Sequence, residues 1–287
     1  MPSWHFGAIG THWEIDTLDA LSDGIKSAVT NRIEEFDRVY SRFRDDSVVT
    51  DLSRRAQTVD LPEDAVDLFS LYKALYDSTG GALSPLVGDA LGHLGYDASY
   101  RLTSLPGPPQ PVPAFDEVLS LEGTTLTCYR PVTIDVGAVG KGYLVDIVGG
   151  LLEAEGITSF TIDASGDLLH RGDVSESVGL ESPRDPERVV GVATVSNAAL
   201  AASATNRRMW GDGLHHIIDA LTGLPTTSIE ATFVIADSAA LADGVATALF
   251  MATPEELAPV GDFEWLIMSS DGSLRASPRF PGEVFST

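Results

Sequence analysis

The sequence predicts an α+β fold, a single layered domain with a mostly antiparallel sheet and helices packed on it. Three observations lead there. Strand-like segments outnumber helix-like ones. Several read as antiparallel neighbours, most clearly the closing hairpin around Asp271-Gly272, which disfavours a doubly wound sheet. The apolar share, 44% of 287 residues, is ample for a large core.

In chain order, "GTHWEID" (10–16) alternates as a strand does. Leu21, Ile25, Val29, Ile33, Phe36 and Tyr40 recur at helical spacing and predict a helix over 20–41. A second helix is expected over 62–78, opened by Pro62 and closed by "TGG". "PGPPQPVP" (106–113) can be neither helix nor central strand; it is a surface loop or an internal boundary, and is taken as a loop within one domain spanning 1–287. Then come an extended run at 124–136, a helix over 143–155, a strand at 159–164 and extended chain from 189. "HHIIDALTGLPTT" (215–227) is turn-rich, "ATFVIAD" (231–237) is a strand, and "SAALADGVATALFMA" (238–252) is a helix with Ser238 or Asp237 as its cap. No internal repeat is visible.

Charge narrows the function. A net charge of −24 with no basic cluster larger than Arg207-Arg208 excludes a nucleic-acid partner. It also repels phosphorylated small molecules, so any such ligand needs helix N-termini, a few placed cations or a metal ion. That makes Lys141, one of three lysines, informative. Cys128 is the only cysteine, which excludes an intrachain disulfide and fits a reducing compartment. With no long apolar run and no basic N-terminal leader, the chain is expected to be cytoplasmic without a membrane span.

Four stretches carry chemistry. "TIDVGAVGKGYLVD" sets Gly137, Gly140, Lys141 and Gly142 between a strand and a helix, where backbone amides and the helix N-terminus could hold a pyrophosphate; a tight packing turn is the plain alternative. It is neither a Walker A loop nor a dinucleotide fingerprint. Asp243 and Thr247 lie four apart on an otherwise apolar helix, so Asp243 needs a cation, either an ion-pair partner or a hard metal such as Mg²⁺. His215 and His216 lack a third ligand for zinc, leaving acid–base work near phosphate or structural hydrogen bonds. "AASATNRRMWG" holds Ser203, Thr205, Arg207 and Arg208, whose arginines either brace an acidic chain or meet an anion.

In order, "AIGTHWEI", "SRFRDDSVVTDL", "TGGALSPLVGDAL", "IDVGAVGKGYLVD", "FTIDASGDLLHRG", "NRRMWGDGLHHIIDALTGLP" and "VIADSAALADGVATALF" resemble the ApbE-type FAD:protein FMN transferases over nearly the whole chain. The resemblance implies a T-fold-like α+β domain. It implies FAD as substrate, Mg²⁺ as cofactor, and transfer of FMN to a Thr or Ser hydroxyl of a target protein with release of AMP. It carries the metal to Asp243, Thr247 and the Gly140 carbonyl, with Ala246 nearby. Flavin and nucleotide contacts fall on Ile9, Phe43, Ala82, Leu83, Ser84, Gly137, Lys141, Tyr143 and Ile217, and catalysis on His216 and Asp243.

The sequence departs from the family pattern in three places. Ile9 replaces a methionine, Ser165 the first glycine of a Gly-Gly-Asp turn, and Ala220 a common proline. The competing functions are an FAD pyrophosphatase that gives FMN and AMP, and an FAD-binding protein without turnover.

Overall fold

Eight strands succeed one another in the chain and in space. They are β1 (Ser3–Ala8), β2 (Thr11–Thr17), β3 (Phe160–Asp163), β4 (Asp167–Arg171), β5 (Ala199–Ala204), β6 (Ile229–Ala236), β7 (Phe263–Ser269) and β8 (Leu274–Ala276). Every neighbouring pair is antiparallel in this computed structural model, which describes residues 1–285. The α+β architecture expected from the sequence is thus found.

Both faces of the sheet are covered, and β6 shows how its sequence permits this. Ala231, Phe233 and Ile235 enter one apolar cluster while Val234 and Ala236 enter another, the two-residue period of a strand buried on both sides. The first cluster lies under a long hairpin, Glu176–Ser182 with Asp185–Val195. The larger one lies under the helices.

Four of these position the site: α1 (Asp23–Tyr40), α2 (Ala65–Ser78), α3 (Gly140–Ala154) and α4 (Ala239–Ala248). Helices α3 and α4 pack on the sheet and on each other, with α1 against α3 and α2 against α4. The inward face of α1 is Val29, Ile33, Phe36 and Tyr40, the stripe its periodicity predicts. Ser22 caps α1 and Ser238 caps α4, each side chain accepting an amide of the first turn. The Asp146 carboxylate of α3 accepts the amides of Ala239 and Ala240, both at 2.8 Å, and ties the two helices together. Burial raises this carboxyl above the usual range, and the two amides oppose the rise.

Several boundaries differ from the expectations. The second helix begins at Ala65, not near Pro62, and α3 begins at Gly140, three residues before the expected 143. The extended run at 124–136 pairs only over Thr125–Cys128; beyond it Val132 and Ile134 are buried without joining a sheet. Residues 106–113 form no regular element, as their prolines require. No helix among the described residues is long and apolar enough to cross a membrane.

Candidate active site

Two cavities meet where α3 begins. The first, about 620 Å³, is walled by aromatic residues, among them Phe43, Tyr96, Tyr100 and Trp210. The second, about 410 Å³, is lined by Leu83, Ser84, Ser203, His216, Ile217, Asp243 and Thr247. Gly10, Tyr96, Asp135, Gly137, Lys141, Arg207 and Arg208 line both, so the two form one cleft with a waist at the glycine-rich turn.

The glycines of that turn serve distance, and none of the three has positive φ. A Cβ on Gly142 would stand 2.2 Å from the Ala239 carbonyl oxygen and 2.7 Å from the Asp243 Cβ. The bare backbone lets α3 and α4 touch, and its N–H donates to Asp243 Oδ2 at 3.0 Å. The packing reading of the turn therefore holds at Gly142. At Gly137 the amide donates to Asp135 Oδ1 at 2.7 Å, an Asx turn that fixes the waist.

Asp135 also pairs with the guanidinium of Arg42, 93 positions away. Burial pushes its carboxyl up, but Arg42, the Gly137 amide and Arg208 reverse this and hold it below the usual range. Lys141 Nζ stands 2.5 Å from Oδ2 of Asp167, in ion-pair contact rather than a directed hydrogen bond. Asp167 and Asp243 are both buried, and burial raises both carboxyls; at Asp243 the neighbouring Asp167 adds to the rise, while Lys141 opposes it.

The histidine pair divides its work. His215 Nε2 lies 2.8 Å from the Thr226 carbonyl oxygen, and its Nδ1 accepts the Ile217 amide at 3.3 Å, so both ring nitrogens are engaged in the fold. His216 lines the second cavity, and its buried Nδ1 has no partner among the described residues. Burial, helped by Arg208 and His215, pushes its pKa down to about 3, so the ring is neutral near pH 7 and, by itself, a weak base.

Most of the expected residues meet in the cleft. Ile9, Phe43, Gly137, Gly140 and Lys141 line the first cavity, and Leu83, Ser84, Gly137, Lys141, His216, Ile217, Asp243 and Thr247 line the second. Three stand apart. Tyr143 donates its hydroxyl to the Asp64 carbonyl at 2.7 Å, bracing α3 against α2 outside both cavities. Ala82 touches the region through its backbone, accepting the Ala220 amide at 2.8 Å. Proline at 220 could not make that bond. Ala246 is fully buried, and its carbonyl accepts the Thr232 hydroxyl at 2.6 Å. Ala138, not Gly140, shares the second cavity with Asp243 and Thr247.

The sequence reading missed Asp135, Arg42 and Asp167. Asp135 carried one usable signal, an aspartate two residues before a glycine, the spacing of an Asx turn.

The sequence model described as the ApbE family matches residues 9–262. The chain belongs to the ApbE family. An FAD:protein FMN transferase of Klebsiella pneumoniae (strain 342) is 26% identical over 272 residues, covering 86% of this chain and 77% of that protein. Among solved structures, the ApbE protein of Thermotoga maritima superposes with a TM-score of 0.82 at 22% identity. The flavin transferase ApbE of Vibrio cholerae does so with a TM-score of 0.78, also at 22% identity. Each of these two structural matches covers 97% of both chains, and both establish the ApbE fold here.

Proposed function

We propose that this ApbE chain is an FAD:protein FMN transferase that moves FMN from FAD to a Thr or Ser hydroxyl of a target protein and releases AMP. One observation carries the reading: two chambers joined at a waist where Lys141, Arg207 and Arg208 stand with a single carboxylate, Asp135, in the lining, in a chain of net charge −24. A dinucleotide needs a chamber at each end and positive charge at its pyrophosphate. An acidic protein that gathers cations at one waist meets both needs.

The residues of the second cavity fit a magnesium ion. Asp243 offers a carboxylate with one amide partner, and Thr247 and Ser203 bring hydroxyl oxygens 3.2 Å apart. Ala138 is the residue of the turn that faces the same space. These donors are all oxygens, and they do not complete an octahedron without substrate phosphates or water, as is usual for Mg²⁺. Bound there, the ion would neutralise charge on the pyrophosphate oxygens.

The chain's own groups account for the rest. Lys141 and Arg208 face the pyrophosphate and steady the charge that grows on it. The acceptor oxygen bonds to the FMN-side phosphorus, the bridging P–O bond breaks, and AMP leaves with the bridging oxygen. His216, unpartnered at Nδ1, takes the hydroxyl proton once the anionic pyrophosphate beside it offsets Arg208 and raises the ring's proton affinity. No enzyme nucleophile is required, because holding the two reactants in line supplies much of the rate.

The test is to incubate the protein with FAD, Mg²⁺ and a threonine-containing acceptor protein and weigh the products. Transfer adds FMN to the acceptor in step with AMP. Free FMN and AMP with unmodified acceptors would instead mark a pyrophosphatase.

A further inference from the structure

Five non-glycine residues have positive φ among the described residues: Ile9 (44°), Tyr100 (51°), Leu102 (51°), Ser165 (58°) and Asn197 (48°). Ile9, Tyr100 and Leu102 line the first cavity, and Ser165 lines the second. Left-handed backbone is costly for bulky and β-branched side chains and persists where the surrounding structure imposes it. Here it gathers at the cleft.

Tyr100 and Leu102 belong to a strap of residues 95–105 that is firmly anchored. Leu102 N–H donates to the Gly95 carbonyl and Leu105 N–H to the His93 carbonyl, both at 2.8 Å. Between the two cavity residues, Arg101 turns back to the Gly92 carbonyl at 2.6 Å and the Thr103 carbonyl at 2.9 Å. Gly95, at φ 104°, lets Thr103 close in; a Cβ there would lie 2.4 Å from its nitrogen. The strap therefore holds Tyr100 and Leu102 toward the cavity by construction.

The aromatic packing says what Tyr100 does there. Phe43, the ring the resemblance marks as a flavin or nucleotide contact, is partly covered. The Arg42 guanidinium sits 4.3 Å from its centroid, and Tyr100 lies nearly parallel to it, 11° off at 5.3 Å. Tyr96 and Trp210 stack on each other at 5.4 Å and are buried. Tyr100 is 53% exposed, the most open aromatic ring of this chamber, and the face turned away from Phe43 is free to stack.

We propose that Tyr100, rather than Phe43, stacks on a planar ring of the dinucleotide in the first cavity, and that the left-handed strap exists to present it. The inference rests on the FAD reading above. The ring is a fused heteroaromatic one, flavin or adenine.

The test uses the full chain as wild type, Tyr100→Phe, Tyr100→Ala and Tyr100→Gly, titrated calorimetrically with FAD, FMN and AMP and melted without ligand. Tyr100→Phe keeps the stack and binds FAD within about two-fold of wild type. Tyr100→Ala and Tyr100→Gly lose about 5- to 100-fold, the range for one base–aromatic stack. The mononucleotide whose affinity falls with FAD names the ring. Both truncations remove the same side chain, but glycine relieves the left-handed backbone, so Tyr100→Gly melts higher than Tyr100→Ala. Wild-type FAD affinity in Tyr100→Ala, or equal losses in Tyr100→Phe and Tyr100→Ala, overturns the stacking role and leaves the FAD reading standing. Equal melting of the two truncations overturns the role of the strap. A wild-type chain that does not bind FAD overturns both readings.

Discussion

Lys141 Nζ lies 2.5 Å from Oδ2 of Asp167, a carboxylate with no exposed surface. The lysine at the waist of the cleft is therefore held from behind by a buried counter-charge. Remove the lysine, and Asp167 is left buried with the carboxyl of Asp243 beside it and Asp163 adding to its charge cost.

Lys141→Ala is expected to become less stable as the pH rises. A carboxyl whose folded pKa is raised binds its proton more tightly in the native state. Its stabilisation is complete below the unfolded pKa of about 3.9 and is lost as pH rises toward the folded value. Loss of Lys141 raises the Asp167 pKa further, because the cation that lowers it is gone. The added slope is at most about 1.4 kcal/mol per pH unit. Urea unfolding at pH 5 and pH 8 without Mg²⁺ measures it; equal losses relative to wild type at both pH values would show that the pair is not coupled.

Magnesium binding should expel a proton. Burial and Asp167 hold the Asp243 carboxyl well above its usual range, so a metal competes with a proton for it. Calorimetry in two buffers of different ionisation enthalpy reports the protons released, and Mg²⁺ affinity should rise with pH. Asp243→Asn keeps the fold and loses the ion. Identical heats in both buffers would mean that Asp243 is already ionised or is not a ligand.

The two histidines should fail differently. His216→Ala loses flavin transfer by about 10²- to 10⁴-fold and keeps FAD binding, as expected for a positioned proton acceptor. His215→Ala loses stability, by about 1–3 kcal/mol, because both ring nitrogens hold the 215–226 turn. A second readout separates them. The His216 pKa falls to about 3 in the fold, so the unfolded state gains a proton first as the pH drops below about 6.5. Acidification from pH 7 to pH 5 should therefore destabilise wild type by up to ~2 kcal/mol more than His216→Ala.

Gly142→Ala is expected to damage fold and site together. The new methyl would overlap the Ala239 carbonyl and drive α3 from α4, a distortion of about 1–3 kcal/mol. The same shift pulls the amide from Asp243. Thermal melting and Mg²⁺ titration should both change; a normal melt with normal Mg²⁺ affinity would contradict the packing described.

What could be read in the sequence was what short-range periodicity writes. The stripe on α1, the apolar helix bearing Asp243 and Thr247, and the strand from Ala231 all follow from residues three, four or two apart. The waist of the cleft is written at long range. Arg42 and Asp135 are 93 positions apart, and Gly142 and Asp243 are 101 apart, so the pairings themselves are invisible in the sequence even where a residue such as Asp243 stands out. "VTIDV" shows the opposite failure. Its β-branched residues suit a strand, but Val132 and Ile134 fill the core from an irregular turn. Tyr143, which the resemblance gives as a ligand contact, sends its hydroxyl to the Asp64 carbonyl 79 positions away, a bond no local spacing announces.

FMN transfer from FAD requires that one cleft hold the whole dinucleotide across its waist. Calorimetric titration with FAD, FMN and AMP in the presence of Mg²⁺ tests this most directly. The two-chamber geometry predicts FAD binding at least about 100-fold tighter than either half, since each chamber and the waist add contacts that neither half makes alone. FMN or AMP binding as tightly as FAD would contradict it, for then only one chamber is used and the glycine turn does not read the pyrophosphate.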